Sequence, residues 1–293
     1  MTATHPYKGA FLLVCGLLLF ACLDTTLKYL SALQNIPALA AIRYIGNLVL
    51  MVAIVAPSQG KAMVSTQRTG LVLLRAGSLA VVTLFMGLAF QRMPVAETTA
   101  IGFLAPMLVI LAAGPVLGEK VGLAGWLTAL LGFAGVMLIV RPGSGLDPIG
   151  VIFALCAVAA NLCYQLLSRI LAASEQTIAL LFYTALAGSL IFGVALPWTW
   201  NGWHPDALEI VLLASMGAFG GLGHWLFTQA YRYAPASLLA PMNYLQLLWA
   251  GLLGYGVFGH VPDTLAMIGM VIVGLSGVIT AIRTRRPPAK RSV

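Results

Sequence analysis

Long apolar stretches alternate with short clusters of glycine, proline, asparagine and charged residues along the whole chain. Each stretch runs to about twenty residues, the length a helix needs to cross the hydrocarbon core of a bilayer. The pattern predicts helices over 9–32, 36–56, 70–91, 94–117, 121–140, 148–173, 176–197, 207–231, 235–258 and 264–284. Breaks fall where turn chemistry is dense, at Pro57-Ser58-Gln59-Gly60, Arg141-Pro142-Gly143 and Asn201-Gly202. Backbone groups in lipid must bond internally, and no segment alternates as a barrel strand would, so helices are expected throughout. The run beginning at Gly9 is too long for a signal-peptide core and reads as the first span.

The chain also repeats itself at an offset of 141 positions. Cys15 and Cys22 fall on Cys156 and Cys163, Lys28 on Arg169, Ala89 and Pro94 on Ala230 and Pro235, Leu104 on Leu245, and Gly118 on Gly259. With one inserted residue, Gly132, Gly135 and Arg141 fall on Gly274, Gly277 and Arg283. The copies divide the chain into a five-helix repeat over 9–141, a second over 148–284 and a basic tail over 285–293. Five is odd, so the second copy must cross the membrane upside down relative to the first. The expected fold is an all-α integral membrane protein: ten transmembrane helices arranged as two inverted five-helix repeats around a central cavity.

Composition fits that solvent, with 60% hydrophobic and 8% charged residues and a mean hydropathy of +0.97. Soluble domains carry roughly 25% charged residues. The net charge of +8 does not indicate nucleic acid, because the basic residues flank spans rather than form a patch. Lys8, Lys61, Arg68, Lys120, Arg169, Arg232 and the tail's Arg283, Arg285, Arg286, Lys290 and Arg291 share one face, against Lys28, Arg92 and Arg141 on the other. The positive-inside rule then places both termini in the cytoplasm of a cell whose inner membrane the chain crosses many times. Trp198, Trp200 and Trp203 suit an outer aromatic belt.

The stretch Phe90-Gln91-Arg92-Met93-Pro94 with Ala96, the run through Leu117-Gly118-Glu119, and the glycine-spaced helix ending Val140-Arg141-Pro142 resemble an EamA-type repeat. The second half carries it again from Tyr231 to Gly259 and on to Arg283, with His260 where the first copy has Glu119. The resemblance covers nearly the whole chain. It implies the drug/metabolite transporter superfamily, and the ten-span layout is similar to that of the YddG-like amino-acid exporters. Carriers of sugars, nucleosides or S-adenosylmethionine share the same pattern.

Polar groups inside spans are the candidate site, because such residues face a cavity or a partner. Phe20, Asp24 and Lys28 lie four apart on one helix face, and Asn161, Gln165 and Arg169 are their repeat equivalents. Arg43 lies at a depth similar to Asp24 on the next helix, which suggests an Asp24–Arg43 ion pair, or Asp24 bonded to Lys28 along one helix, structural or substrate-binding. Substrate-binding candidates nearer mid-membrane are Tyr44, Asn47, Asn161, Tyr164, Gln165, Tyr183, His224, Trp225, Asn243, Tyr244 and Gln246, with Thr184 beside them. Amides and phenols can hold the ends of a zwitterion, while aromatic faces suit an apolar side chain or a cation. Each could equally be interhelical glue. Glu97, with Thr98 and Thr99, opens the fourth helix; it joins Asp24, Lys28 and Arg43 as a charge or coupling cluster. The walls are expected from helices one to four and six to nine, with the fifth and tenth supporting them from outside.

The cysteines lie seven apart in each of two helices, about 10 Å along the axis, too far for a disulfide. No metal or cofactor is expected. An enzyme is the rival class, since Gly274-Leu275-Ser276-Gly277 resembles a rhomboid serine motif. Gly132-Phe133-Ala134-Gly135 occupies the matching place without serine, and both His224 and His260 precede Ser276, the reverse of the rhomboid order. A channel would need charge rings or a carbonyl filter. The expected function is secondary transport of small metabolites by alternating access, with export of aromatic or apolar amino acids favoured. Expected partners are that small-molecule substrate and the lipid bilayer, with no nucleic acid and a monomeric chain.

Overall fold

The computed structural model describes residues 6–117, 123–141, 143–171, 174–233, 239 and 242–283. Segments 121–122, 172–173 and 235–238, Glu119 and the tail 285–293, all invoked above, lie outside the described residues, as does the side chain of Arg169. The elements are α1 (Pro6–Leu30), α2 (Ile36–Leu50), α3 (Thr69–Arg92), α4a (Val95–Gly102), α4b (Leu104–Leu117) and α5 (Leu123–Val140) in the first half. The second half holds α6 (Pro148–Leu171), α7 (Thr177–Thr199), α8 (Ala207–Tyr233), α9 (Leu245–Phe258) and α10 (Thr264–Arg283). Among the described residues, six helices are long and apolar enough to span a bilayer, and four shorter apolar helices accompany them.

Three segments differ from the sequence expectation; the ninth helix, expected over 235–258, begins only at Leu245 after a turn at Asn243 and Tyr244. The fourth helix, expected unbroken over 94–117, stops at Gly102 and restarts at Leu104. Pro106 has no N–H to donate to the Gly102 carbonyl, so the ladder breaks one turn before it, where a proline in a first helical turn is tolerated. The expected turn at Pro57 is instead helical: α2 widens into a π turn over Met51–Val55 and continues through Ala56–Gln59. The wide turn absorbs the hydrogen bond that Pro57 cannot make.

Packing follows the repeat. α1 lies along α8, and the equivalent pair α6 and α3 lie together; α2 packs on α7 and α5 on α10. The restart of α4b at Leu104 is matched by the start of α9 at Leu245, and the residues just before them, Phe103 and Tyr244, bring their rings to 4.8 Å. Since 103 + 141 = 244, this is a contact between equivalent positions, which places it on the two-fold relation between the halves.

Equivalent turns lie at opposite ends of the bundle. Between α1 and α2, Asn35 Nδ2 donates to the Thr199 carbonyl at 2.7 Å, and Asn201 Nδ2 donates back to Leu33 O at 2.8 Å. The equivalent turn between α6 and α7 carries Glu175, whose carboxylate accepts the backbone N–H groups of Gln67 (3.0 Å) and Arg68 (2.7 Å) in the α2–α3 turn. The α2 helix separates the two clamps, so one half is turned over relative to the other. Below, these faces are the Lys28 end and the Glu175 end.

At the Lys28 end, Arg92 pairs with Asp147 and Arg141 with Asp263, each at 2.9 Å. The Arg92 hydrogen bond holds the Asp147 carboxyl below the usual carboxylate range. For Asp263 the backbone N–H of Ala266 contributes first, then Arg141. Carboxyls lowered in the folded state favour folding above their unfolded value near 4, and that support fades as pH falls through the lowered value. Exposed apolar side chains such as Leu130, Phe133, Val194, Leu222 and Val271 cover the outside, the surface a bilayer would contact.

Close approach of α5 and α10 depends on missing side chains. A Cβ on Gly269 would stand 2.5 Å from Gly135 O, and one on Gly135 would stand 2.8 Å from Gly269 O. Backbone cannot yield as a side chain would, so Gly269→Leu should cost roughly 1–3 kcal/mol from overpacking. A lowered melting temperature in detergent checks this; unchanged melting would mean that the two helices do not meet there.

Candidate functional site

A cavity of about 220 Å³ lies at the junction of the halves. Its walls are Asp24 of α1, Val82 and Met86 of α3, Thr99, Gly102 and Phe103 at the α4a–α4b break, Asn161 with Ala157 and Val158 of α6, and Gln246 of α9. The break at Gly102 opens this space, because a continuous helix would bring side chains inward there. Gln246 Nε2 donates to the Asp24 carboxylate at a long 3.4 Å, joining first and second halves. The Thr99 hydroxyl is buried with no protein partner. Asn161 makes no hydrogen bond among the described residues, leaving its amide to the cavity. The result is a carboxylate, two amides and a hydroxyl beside aromatic and thioether surface, a lining suited to an ammonium with an apolar portion attached.

The expected Asp24–Arg43 ion pair is not made: no Arg43 nitrogen lies within 4.0 Å of the Asp24 carboxylate, though the two interact electrostatically. Arg43 points to α8, its Nε 3.8 Å from where a Cβ of Gly220 would sit. Lys28, on the same face of α1 as Asp24, turns away to the carbonyls of Phe90, in the last turn of α3, and Met93, just beyond it, at 2.7 Å each. A cation there complements the helix C-terminus. It lines a second cavity of about 270 Å³ with Pro94, Phe258 and His260.

Glu97 is 3% exposed, and its Oε1 meets His260 Nε2 at 2.7 Å across the halves, while Oε2 is buried without a partner. The charge cluster expected of Asp24, Lys28, Arg43 and Glu97 therefore divides into two pairs that interact electrostatically without direct contact, Asp24 with Arg43 and Lys28 with Glu97.

The remaining candidates sort by helix face. Tyr44 is buried in packing: its hydroxyl meets Thr83 Oγ1 at 2.7 Å and its ring stacks on Phe192. Asn47 sits at the α2–α8 crossing, its Oδ1 2.9 Å from the Cβ position of Gly221. Tyr164 and Thr184 hold Arg75. Gln165 is half-buried beside Tyr164. Tyr183 donates to Val64 O at 3.0 Å at the Glu175 end. His224 lies edge-on to Phe20 at 4.9 Å, whereas Trp225 is 53% exposed on the outer surface. Asn243 O accepts the Gln246 N–H at 3.1 Å, and Tyr244 faces Phe103. Ser276, the rival class's serine, is fully buried and donates to Thr128 O of α5.

Sequence reasoning missed Arg75, Met86 and Phe103, and assigned no role to Thr99 beyond its place beside Glu97. Arg75 is the instructive omission, a single charge six residues inside an apolar span; its intramembrane position was itself the signal.

A two-fold assembly of apolar helices around a polar cleft, with a broken helix at that cleft, is the build of a membrane carrier. The chain belongs to the EamA-like transporter family, which matches residues 7–141 and 148–282. It is 27% identical to a riboflavin transporter of Vibrio cholerae, over 99% of this chain and 98% of that one. An S-adenosylmethionine uptake transporter of Rickettsia bellii is 26% identical over 85% of each chain. A pseudopaline exporter of Pseudomonas aeruginosa is 25% identical over 95% of this chain and 97% of that one. A solved crystal structure superimposes with a TM-score of 0.67 at 18% identity, covering 96% of this chain and 99% of that one, a likeness of fold alone.

Proposed function

We propose that the protein is a secondary transporter of the inner membrane that carries small metabolites by alternating access, with both termini in the cytoplasm. Amino acids with aromatic or apolar side chains are the favoured cargo, and export the favoured direction. The carrying observation is the cleft between Asp24, Asn161 and Gln246, to which both halves contribute. Asp24 and the amides would take the ammonium, while Phe103 and Met86 would take the side chain. Its volume of about 220 Å³ falls below the roughly 300–1,000 Å³ of sites for drug-sized ligands, which favours cargo of amino-acid size over riboflavin or S-adenosylmethionine. Inverted halves supply two packings of similar energy that face opposite sides of the membrane. No step needs a cofactor; the driving force is a solute gradient.

Purified protein in liposomes, offered radiolabelled amino acids, nucleosides, sugars, riboflavin and S-adenosylmethionine, tests this. Saturable movement of aromatic or branched-chain amino acids is expected. Saturable movement of another class alone would overturn the cargo, and movement of none would overturn the carrier.

A further inference from the structure

Arg75 of α3 is 6% exposed and meets only uncharged groups. Its Nε donates to Ser168 Oγ at 2.7 Å, Nη1 to Thr184 Oγ1 at 3.0 Å and Leu180 O at 3.2 Å, and Nη2 to Tyr164 Oη at 2.8 Å. Among the described residues no carboxylate lies within 4.0 Å, so the cage fixes the fork without cancelling its charge. Four hydrogen bonds spent on holding one cation in an apolar bundle is an expensive arrangement for mere packing.

The position of the cage is informative. The Cβ site of Gly220 is approached by Arg43 at 3.8 Å and Leu23 at 3.9 Å. Adding or subtracting 141 carries Arg43 to Thr184, Leu23 to Tyr164 and Gly220 to Leu79. Thr184 and Tyr164 are the residues that grip Arg75, which lies one helical turn before Leu79 on α3. Each half thus holds a guanidinium at the corresponding place, although the two arginines occupy non-equivalent positions in the sequence. Arg43 lies seven residues into α2 from the Lys28 end, about 10 Å; Arg75 lies six residues into α3 from the Glu175 end, about 9 Å. Both act electrostatically on His224.

The Arg75 cage also adjoins the cleft. Asn161, Tyr164 and Ser168 follow one another along a single face of α6, from the cavity to Arg75. Among the described side chains at this depth, Asp24 is the one carboxylate against the two guanidiniums; Glu97 is engaged with His260 nearer the Lys28 end. Arg43 lies 5.6 Å from the centre of the Tyr44 ring and makes no hydrogen bond among the described residues, so its N–H groups are open while those of Arg75 are filled.

We infer that the transported molecule carries an oxyanionic group, a carboxylate or a phosphate, which is received by Arg43 from the Lys28 end and by Arg75 from the Glu175 end. The inference rests on the carrier reading above and specifies its cargo. Guanidinium forks match the paired oxygens of both groups. In the conformer with the halves exchanged, the Arg75 cage opens and Arg43 becomes the enclosed cation, so the anion always meets one free fork.

The test uses the full chain in liposomes and matched pairs that differ only at the anionic group. Phenylalanine is compared with phenylalaninamide, and riboflavin with riboflavin 5′-phosphate, each as a competitor of the best cargo found. The anionic member of at least one pair should compete at least tenfold better, and which pair responds separates carboxylate from phosphate. Arg43→Gln should abolish that preference, and Arg75→Gln should do the same. Should Arg75→Gln fail to fold, Arg75→Lys keeps the charge without the fork and should raise KM for the anionic member with little change for the neutral one. Equal competition within both pairs, or an undiminished preference in Arg43→Gln, would overturn the inference while leaving the carrier intact. Movement of no solute at all would instead fail the carrier reading.

Discussion

Asp24→Asn should reduce cargo movement by roughly 10- to 100-fold with little change in the yield or melting of the protein. A hydrogen bond to a charged group contributes about 1.5–3 kcal/mol, and each 1.4 kcal/mol is a factor of about ten. An asparagine oxygen can still accept from Gln246, which already bonds the carboxylate at only 3.4 Å, so the wall keeps its shape. The side chain has no ion-pair partner to strand, because Arg43 lies beyond direct contact. The change therefore removes a charge from the cleft and little else. Flux assayed beside thermal melting separates the outcomes. Normal flux would remove Asp24 from the site, and collapse of yield would make it a structural residue.

His260→Ala should destabilise the protein more than Glu97→Gln, by roughly 1–2 kcal/mol. Losing the ring leaves the buried Glu97 carboxylate without its partner, at a cost of about 1–3 kcal/mol. Glu97 is the member that would be stranded, being 3% exposed and already carrying one unpartnered oxygen. The imidazole is 38% exposed and can turn to solvent when the carboxylate is lost. A glutamine at 97 still offers an oxygen or an N–H to the ring, for about 1 kcal/mol lost. Because the contact joins α4a to the residue just after α9, its loss should also loosen the halves at the Lys28 end. Equal melting of both variants would show that the pair does not hold the halves together.

How much of this was legible in the sequence depended on what helical periodicity can resolve. The repeat offset identified equivalent helices, and Asp24, Asn161 and Gln246 were found because polar atoms in an apolar span must face something polar. Neighbouring candidates could not be separated on that basis. His224 and Trp225 point about 100° apart on α8, so one meets Phe20 inside and the other the outer surface. Arg43 and Tyr44 divide in the same way between α8 and the packing around Phe192. Depth and face also misled for Lys28, whose long stem reaches the α3 carbonyls instead of Asp24. Arg75 lies far enough inside its span to mark it as a buried charge, but what encloses it, the converging Tyr164, Ser168 and Thr184, is visible only in the fold. The break at Phe103 needed the backbone consequence of Pro106 to be followed one turn back.

The central claim is a cleft exposed alternately to the two sides, and counterflow tests it most directly. Liposomes containing the protein are loaded with a high concentration of unlabelled cargo and diluted into a trace of the same compound labelled. A carrier that turns over only between its two packings must exchange label inward while the internal pool empties. Labelled cargo should therefore rise transiently well above its equilibrium level, and Asp24→Asn should flatten the peak. Monotonic equilibration without an overshoot, for a compound the protein demonstrably moves, would mean an open passage and contradict alternating access.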